Sequence, residues 1–214
     1  MKALCPICGK RKPDRFCPAK GEKICAVCCG REREVTIDCP SDCAYLRAAH
    51  RYELEHPKAS PPEQMPFPDV EFPVHLVEER SDLIAGLAYA ILKFAGDHKA
   101  LNDADVFTTL GALAETYRTL GTGIYYERAP DAPLPHLLYE ELSRFLKEYQ
   151  QQSAQAELGR LKDTAAFDLL VFLLRLGRRR TNGRPLSRAF LGFLRAQFPR
   201  RPEEQAEASR IIIP

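Results

Sequence analysis

The chain has 214 residues, of which 45% are hydrophobic and 28% charged, with eight cysteines, seventeen prolines and no tryptophan. That length suits one ordinary domain or two small ones, with enough apolar residues for a packed core. A mean hydropathy of −0.32, with the longest apolar run only the six residues 169–174, excludes a membrane-spanning helix.

The four residues before Cys5 are too few for the apolar stretch of a secretory leader, so the expected location is the cytoplasm. The net charge of +2 conceals a strong segregation along the chain. Residues 1–33 hold nine Lys/Arg against three acids, and residues 34–168 hold twelve against twenty-three. Residues 169–202 hold nine arginines and no acid. Such poles imply an electrostatically divided surface if the segments stay apart in space.

All eight cysteines fall between positions 5 and 43: Cys5, Cys8, Cys17, Cys25, Cys28, Cys29, Cys39 and Cys43. A reducing compartment disfavours disulfides, so the clustering points to metal. Cys5-Pro6-Ile7-Cys8-Gly9 is a knuckle, in which two thiolates grip one ion and a glycine permits the tight turn. Cys25-Ala26-Val27-Cys28-Cys29-Gly30 repeats it with an extra cysteine. Cys39 and Cys43 form a third pair, with Ser41 or Asp42 placed to cap a helix through residues 45–52 and Cys43 in its first turn. The positive end of that helix favours a thiolate.

Eight thiols divide into two tetrahedral four-thiolate sites. Reading Cys28 and Cys29 as neighbours in an extended segment, their side chains point opposite ways and serve different ions. The preferred partition puts Cys5, Cys8, Cys25 and Cys28 on one zinc and Cys17, Cys29, Cys39 and Cys43 on the other. The spacing also permits the exchange of Cys28 with Cys29, and a sequential split is a third arrangement. A closed shell of four cysteines leaves no open position for substrate, so the zinc is expected to be structural. An iron–sulfur cluster is the other metal group such ligands can hold.

The order CxxC, C, CxxCC, CxxxC resembles the cross-braced double-zinc modules of the HIT, MYND, B-box and RING type. The closing pair Cys39 and Cys43 is most similar to the HIT and MYND fingers. The segment also resembles cysteine-rich N-termini carried by bacterial proteins of unassigned function. It departs from the eukaryotic fingers at Cys17, which has no partner two residues on, and in having no histidine among its ligands. The likeness covers about a fifth of the chain. It implies two zinc ions and protein-partner binding.

Six prolines between positions 57 and 74 (Pro57, Pro61, Pro62, Pro66, Pro68, Pro73) read as a semi-extended linker, with Phe67 and Phe72 able to pack back on a neighbouring domain. The signal then turns helical. Leu83, Leu87, Ile91 and Phe94 recur at three-to-four spacing, as do Val106, Leu110, Leu113, Tyr117 and Leu120 after a cap at Asn102 or Asp103. Pro135 opens a helix with Leu138, Leu142, Phe145 and Tyr149 on one face. Asp163 or Thr164 opens a densely apolar one through Phe167, Leu170, Val171 and Leu174, expected at the centre. Residues 178–185 read as a loop, and a last helix runs from Leu186 to Phe198. The only strand-like alternation is the weak one at 123–126.

Arg175, Arg178, Arg179, Arg180, Arg184 and Arg188, followed by Arg195, Arg200 and Arg201, form the second functional candidate. Arginine forks match phosphates, so a nucleic acid or other polyanion is one reading. Internal pairing with the acidic middle of the chain is the other. Two Zn²⁺ on eight thiolates contribute about −4, which largely offsets the basic N-terminus and leaves the arginines as the uncompensated basic segment. The five histidines (His50, His56, His75, His98, His136) are scattered and no nucleophile motif accompanies them, so no catalytic residue is assigned. His50 and His56 read as solvated helix positions rather than spare ligands. The tail Ile211–Ile213 reads equally as a docking peptide or as a segment folded on its own domain.

The expected architecture is a small zinc-stabilised N-terminal domain (1–56), a proline-rich linker (57–74), an all-α helical bundle (75–199) and a tail (200–214). The expected function is non-enzymatic: an adaptor or regulatory protein whose two structural zinc ions shape an interaction module. A nucleic-acid binder using residues 175–201 is the alternative, and no membrane partner is expected.

Overall fold

The computed structural model describes residues 3–56, 65–71, 73–123, 126–154 and 159–198. Pro57, Pro61, Pro62, Phe72, the weak alternation at 124–125, Arg200, Arg201 and the Ile211–Ile213 tail lie outside them.

The N-terminal unit is built from short pieces. Strands β1 (Arg15–Cys17) and β2 (Glu22–Ile24) pair antiparallel, with Phe16 opposite Lys23. Three-residue strands carry too little alternation to be read from sequence. Gly21 closes the turn between them at φ 68°, a conformation glycine adopts without a side-chain clash. Helices α1 (Ala26–Glu32) and α2 (Ala44–Glu55) complete the unit. Its apolar core is thin: Ile24, Ile37 and Leu46 are buried among the cysteines.

The remainder is mostly helical: α3 (Val74–Glu79), α4 (Ser81–Asp97), α5 (Asp103–Gly121), α6 (Pro133–Ser153), α7 (Asp163–Arg180) and α8 (Ala189–Gln197). Asn102 caps α5 through a reciprocal box with Asp105, satisfying two of the backbone donors left open at a helix start. Pro133 opens α6, where its missing N–H removes no hydrogen bond. The pair α5 and α7 shares the most extensive interface; α6 packs on α4 and α5, and α8 on α7, α4 and α5. The helical periodicity of the sequence buries as expected: Leu83, Leu87, Ile91, Val106, Leu110, Leu138, Leu142 and Leu170 all belong to one core.

Four details of the helical part differ from the sequence reading: α6 opens at Pro133 rather than Pro135, α8 opens at Ala189 rather than Leu186, and α3 and α7 depart as follows. Helix α3 precedes α4 and was not expected, because six residues hold less than two turns of pattern. Helix α7 continues through Arg178–Arg180, which composition assigned to a loop. Gly177 lies inside it and is buried, and a side chain there would run into the rings of Phe107 and Phe190. Among the described residues no helix is long and apolar enough to cross a membrane.

Leu142 is fully buried in α6 at the centre of this core. Leu142→Ala is expected to destabilise the bundle by about 2–5 kcal/mol, read from denaturant unfolding at unchanged slope.

Candidate metal centre

Four thiols converge in the N-terminal unit. Cys5 and Cys8 come from the first turn of the chain, Cys25 from the end of β2, and Cys28 from the first turn of α1. All four sulfur atoms lie within 4.8 Å of one another. Local backbone geometry sets them there. Gly9 takes φ 61° so that its N–H reaches the Cys5 carbonyl at 2.7 Å, folding the knuckle. Cys25 then caps α1: its sulfur accepts the Cys28 N–H at 3.4 Å, while Cys5 Sγ accepts the Cys25 N–H at 3.3 Å. A cysteine thus takes the place usually held by Ser or Asp.

The electrostatics match a cation at the centre. The N–H groups of Lys10 and Arg11 hold the Cys8 thiol down at about 6. Burial opposes ionisation of Cys5, but the N–H groups of Cys25, Cys8 and Ile7 outweigh it and lower that thiol. Burial, followed by the thiols of Cys25, Cys8 and Cys5, pushes Cys28 up to about 12. Four thiolates this close repel one another, and a dication is the countercharge that lets all of them ionise. Sulfurs held at ~2.3 Å by a tetrahedral zinc stand ~3.8 Å apart; Cys8 Sγ and Cys25 Sγ are 4.0 Å apart. This four-cysteine group is therefore positioned to hold a metal ion.

The other four cysteines are arranged differently. Cys17, Cys29, Cys39 and Cys43 line one small cavity under Pro18, Ile37 and Leu46. Cys43 sits at the N-cap of α2, taking the position expected of Ser41 or Asp42. Burial, reinforced by the charges of Cys43 and Cys17, pushes Cys39 up to about 11 against the pull of the Glu34 N–H. Among the described residues, however, the only group of metal-binding side chains drawn together within 4.8 Å is the first. All eight cysteines are free thiols.

The separation of Cys28 from Cys29 has a different cause from the one expected. The segment is helix α1 rather than extended chain, and successive residues on a helix point about 100° apart. That rotation sends Cys28 to the first group and Cys29 to the cavity.

One residue that the sequence did not single out joins this unit to the bundle. Glu34 lies in the left-handed region at φ 54° and is 1% exposed. Its carboxylate accepts from His50 Nε2 at 2.9 Å, Asn182 Nδ2 at 2.8 Å and the Arg188 N–H at 2.8 Å. Its carbonyl accepts the Leu186 N–H at 2.9 Å. Burial alone would raise the Glu34 carboxyl; the hydrogen bond and charge of His50, with the Arg188 N–H and the Asn182 amide, hold it below its ordinary value. His50 is consequently neither a spare ligand nor a solvated position.

The six nominated arginines divide by environment. Arg175 ties α7 to the proline-rich segment, donating to the carbonyls of Pro66, Phe67 and Val70. Phe67 packs edge-on against Phe167 at 5.5 Å, as expected of it. Arg184 reaches the carbonyls of Gly30 and Arg33 at the end of α1. Arg188 is buried, pairing with Asp38 and donating to the carbonyls of Leu101, Lys99 and Cys39. Arg178 and Arg180 lie over the rings of Phe107 and Phe193 at 4.8 and 4.6 Å, and Arg179 is exposed. The internal partners of this segment are thus chiefly carbonyls and rings rather than the acidic residues that the charge pattern offered.

Asp103 was expected only as a possible helix cap. It instead accepts from Ser187 Oγ at 2.7 Å, Thr181 Oγ1 at 2.9 Å and the N–H groups of Phe190 and Leu191 at 3.0 and 3.2 Å. Burial pushes its carboxyl above the ordinary range against those hydrogen bonds. It thereby anchors the start of α8 on α5. No protein-family model matches the chain, and comparisons with curated proteins and with solved structures find no match.

Proposed function

We propose that the chain is a non-enzymatic adaptor or regulatory protein in which two structural zinc ions shape an interaction module. The observation that carries this reading is the closed set of Cys5, Cys8, Cys25 and Cys28, with four sulfurs within 4.8 Å and no histidine or carboxylate among them. Such a shell offers no open coordination position for water or substrate, which is the signature of a structural rather than a catalytic ion. The second zinc is assigned to Cys17, Cys29, Cys39 and Cys43, supported by their lining one cavity. Closing that shell requires only that the sulfurs draw together when an ion supplies the attraction. Eight free thiols suit a reducing compartment, which supports a cytoplasmic location.

In this reading zinc does its work at a distance. Arg184 and Arg188 grip carbonyls at the end of α1 and on Cys39 itself, so the ion that holds α1 and Cys39 also holds the seat of the turn between α7 and α8. The bundle and the cysteine unit then present one composite surface to a protein partner. Affinity capture with the full chain tests the adaptor role. One recovered protein that survives nuclease treatment and is lost when a chelator strips the zinc is the expected outcome. Recovery that vanishes with nuclease, or that ignores the chelator, contradicts it.

A further inference from the structure

Between the second half of α2 and the end of α7 lies an open cleft of about 420 Å³, within the ordinary range of ligand sites. One wall is Arg178, Arg179 and Arg180, all exposed, and the other carries Tyr52 and His56. Among the described residues Glu53 is the only carboxylate on its lining, and it accepts from the Asn182 amide at 3.3 Å. Among the described residues none of the three arginines meets a carboxylate. Arg178 and Arg180 lie over the rings of Phe107 and Phe193, contacts that restrain two of the forks. Cations at a helix C-terminus are favoured by the macrodipole, which accounts for a basic last turn. It does not account for the aromatic wall opposite: Tyr52 is 61% exposed and stacks on His56 with ring centroids 4.2 Å apart.

Held forks facing a supported, open ring are what a phosphate followed by a base requires. We propose that this cleft binds single-stranded nucleic acid, with Arg178, Arg179 and Arg180 on successive phosphates and a base stacked on the free face of Tyr52. A duplex presents its bases edge-on inside a convex rod and leaves Tyr52 nothing to stack on. The inference goes beyond the structural-zinc reading, and it does not depend on the identity of the metal.

The test is fluorescence anisotropy of the full, metal-loaded chain with fluorescein-labelled oligo-dT and oligo-rU. Three neutralised phosphates on a single strand give a log–log salt slope of about −2, so affinity should fall roughly 20-fold between about 50 and 200 mM salt. Arg179→Glu should weaken binding about tenfold and flatten that slope by about 1. Tyr52→Ala should weaken it by about 5- to 150-fold while leaving the slope unchanged. Both side chains are exposed and lie on different helices, so both variants should keep the wild-type thermal midpoint. Tighter binding of rU than dT would place a 2′-hydroxyl contact in the cleft, and equal binding would assign the affinity to phosphate and base alone; either supports the site. No binding at low salt, a preference for duplex, or affinity unchanged in both variants overturns it.

Discussion

Replacing Cys8 by serine is expected to unfold the N-terminal unit. The reason is the thinness of its core: beyond the cysteines, Ile24, Ile37 and Leu46 are the only apolar side chains buried there among the described residues. Cysteines make up most of that core, so its stability rests on what they bind, and a structural zinc contributes about 10–16 kcal/mol of apparent binding energy. Near-UV circular dichroism should therefore lose the tyrosine signal from Tyr45 and Tyr52, while far-UV ellipticity keeps most of the α3–α8 helix. Cys8→His, which restores a zinc ligand, should recover much of the fold. A Cys8→Ser protein with wild-type spectra and thermal midpoint would mean that the unit stands without its metal.

The second large effect is expected at Glu34. Glu34→Ala removes one carboxylate from three donors, leaving His50, Asn182 and the Arg188 N–H without it in a buried seam. Breaking a buried pair by deleting one partner costs about 3–5 kcal/mol. Alanine must also hold φ 54°, which glycine does without penalty. Glu34→Gly should therefore be less damaging than Glu34→Ala by about 1–2 kcal/mol. Chemical denaturation of the two variants beside the wild type measures both differences. Equal stability of the two variants would show that the backbone strain is not borne by this residue. Wild-type stability in Glu34→Ala would remove Glu34 as the tie between the cysteine unit and the bundle.

Long helices were legible because each repeats its apolar residue several times. The rows through Leu83–Phe94, Val106–Leu120 and Leu138–Tyr149 register α4, α5 and α6 without reference to anything distant. The first cysteine group was legible for a different reason: a knuckle is a local object, and two knuckles suffice for one ion. The short pieces were not. Helix α1 is only seven residues long and is capped by a cysteine rather than by serine or aspartate, so Cys28 and Cys29 looked extended. The contacts that join the halves were hidden more deeply. Glu34 and Arg188 are 154 positions apart, and no periodicity links a lone glutamate to a turn that far away. Asp103 carried a visible signal, a carboxylate at a helix start, but its acceptor role for α8 depends on residues 84 to 88 positions further on. The arginines stand out in the sequence, yet composition cannot say which of them a fold consumes. Arg175, Arg184 and Arg188 turned inward because backbone carbonyls lay within their reach. Arg178, Arg179 and Arg180 stayed exposed at the end of a helix that ran one turn further than its composition implied.

Counting the ions is the most direct test of the structural-zinc account. Native mass spectrometry of the full chain, purified without added metal, should show two zinc ions per protein. Replacing Cys5 and Cys8 together by serine, or Cys39 and Cys43 together, should leave at most one. A chain that carries no metal, or that retains both ions when Cys5 and Cys8 are gone, contradicts it.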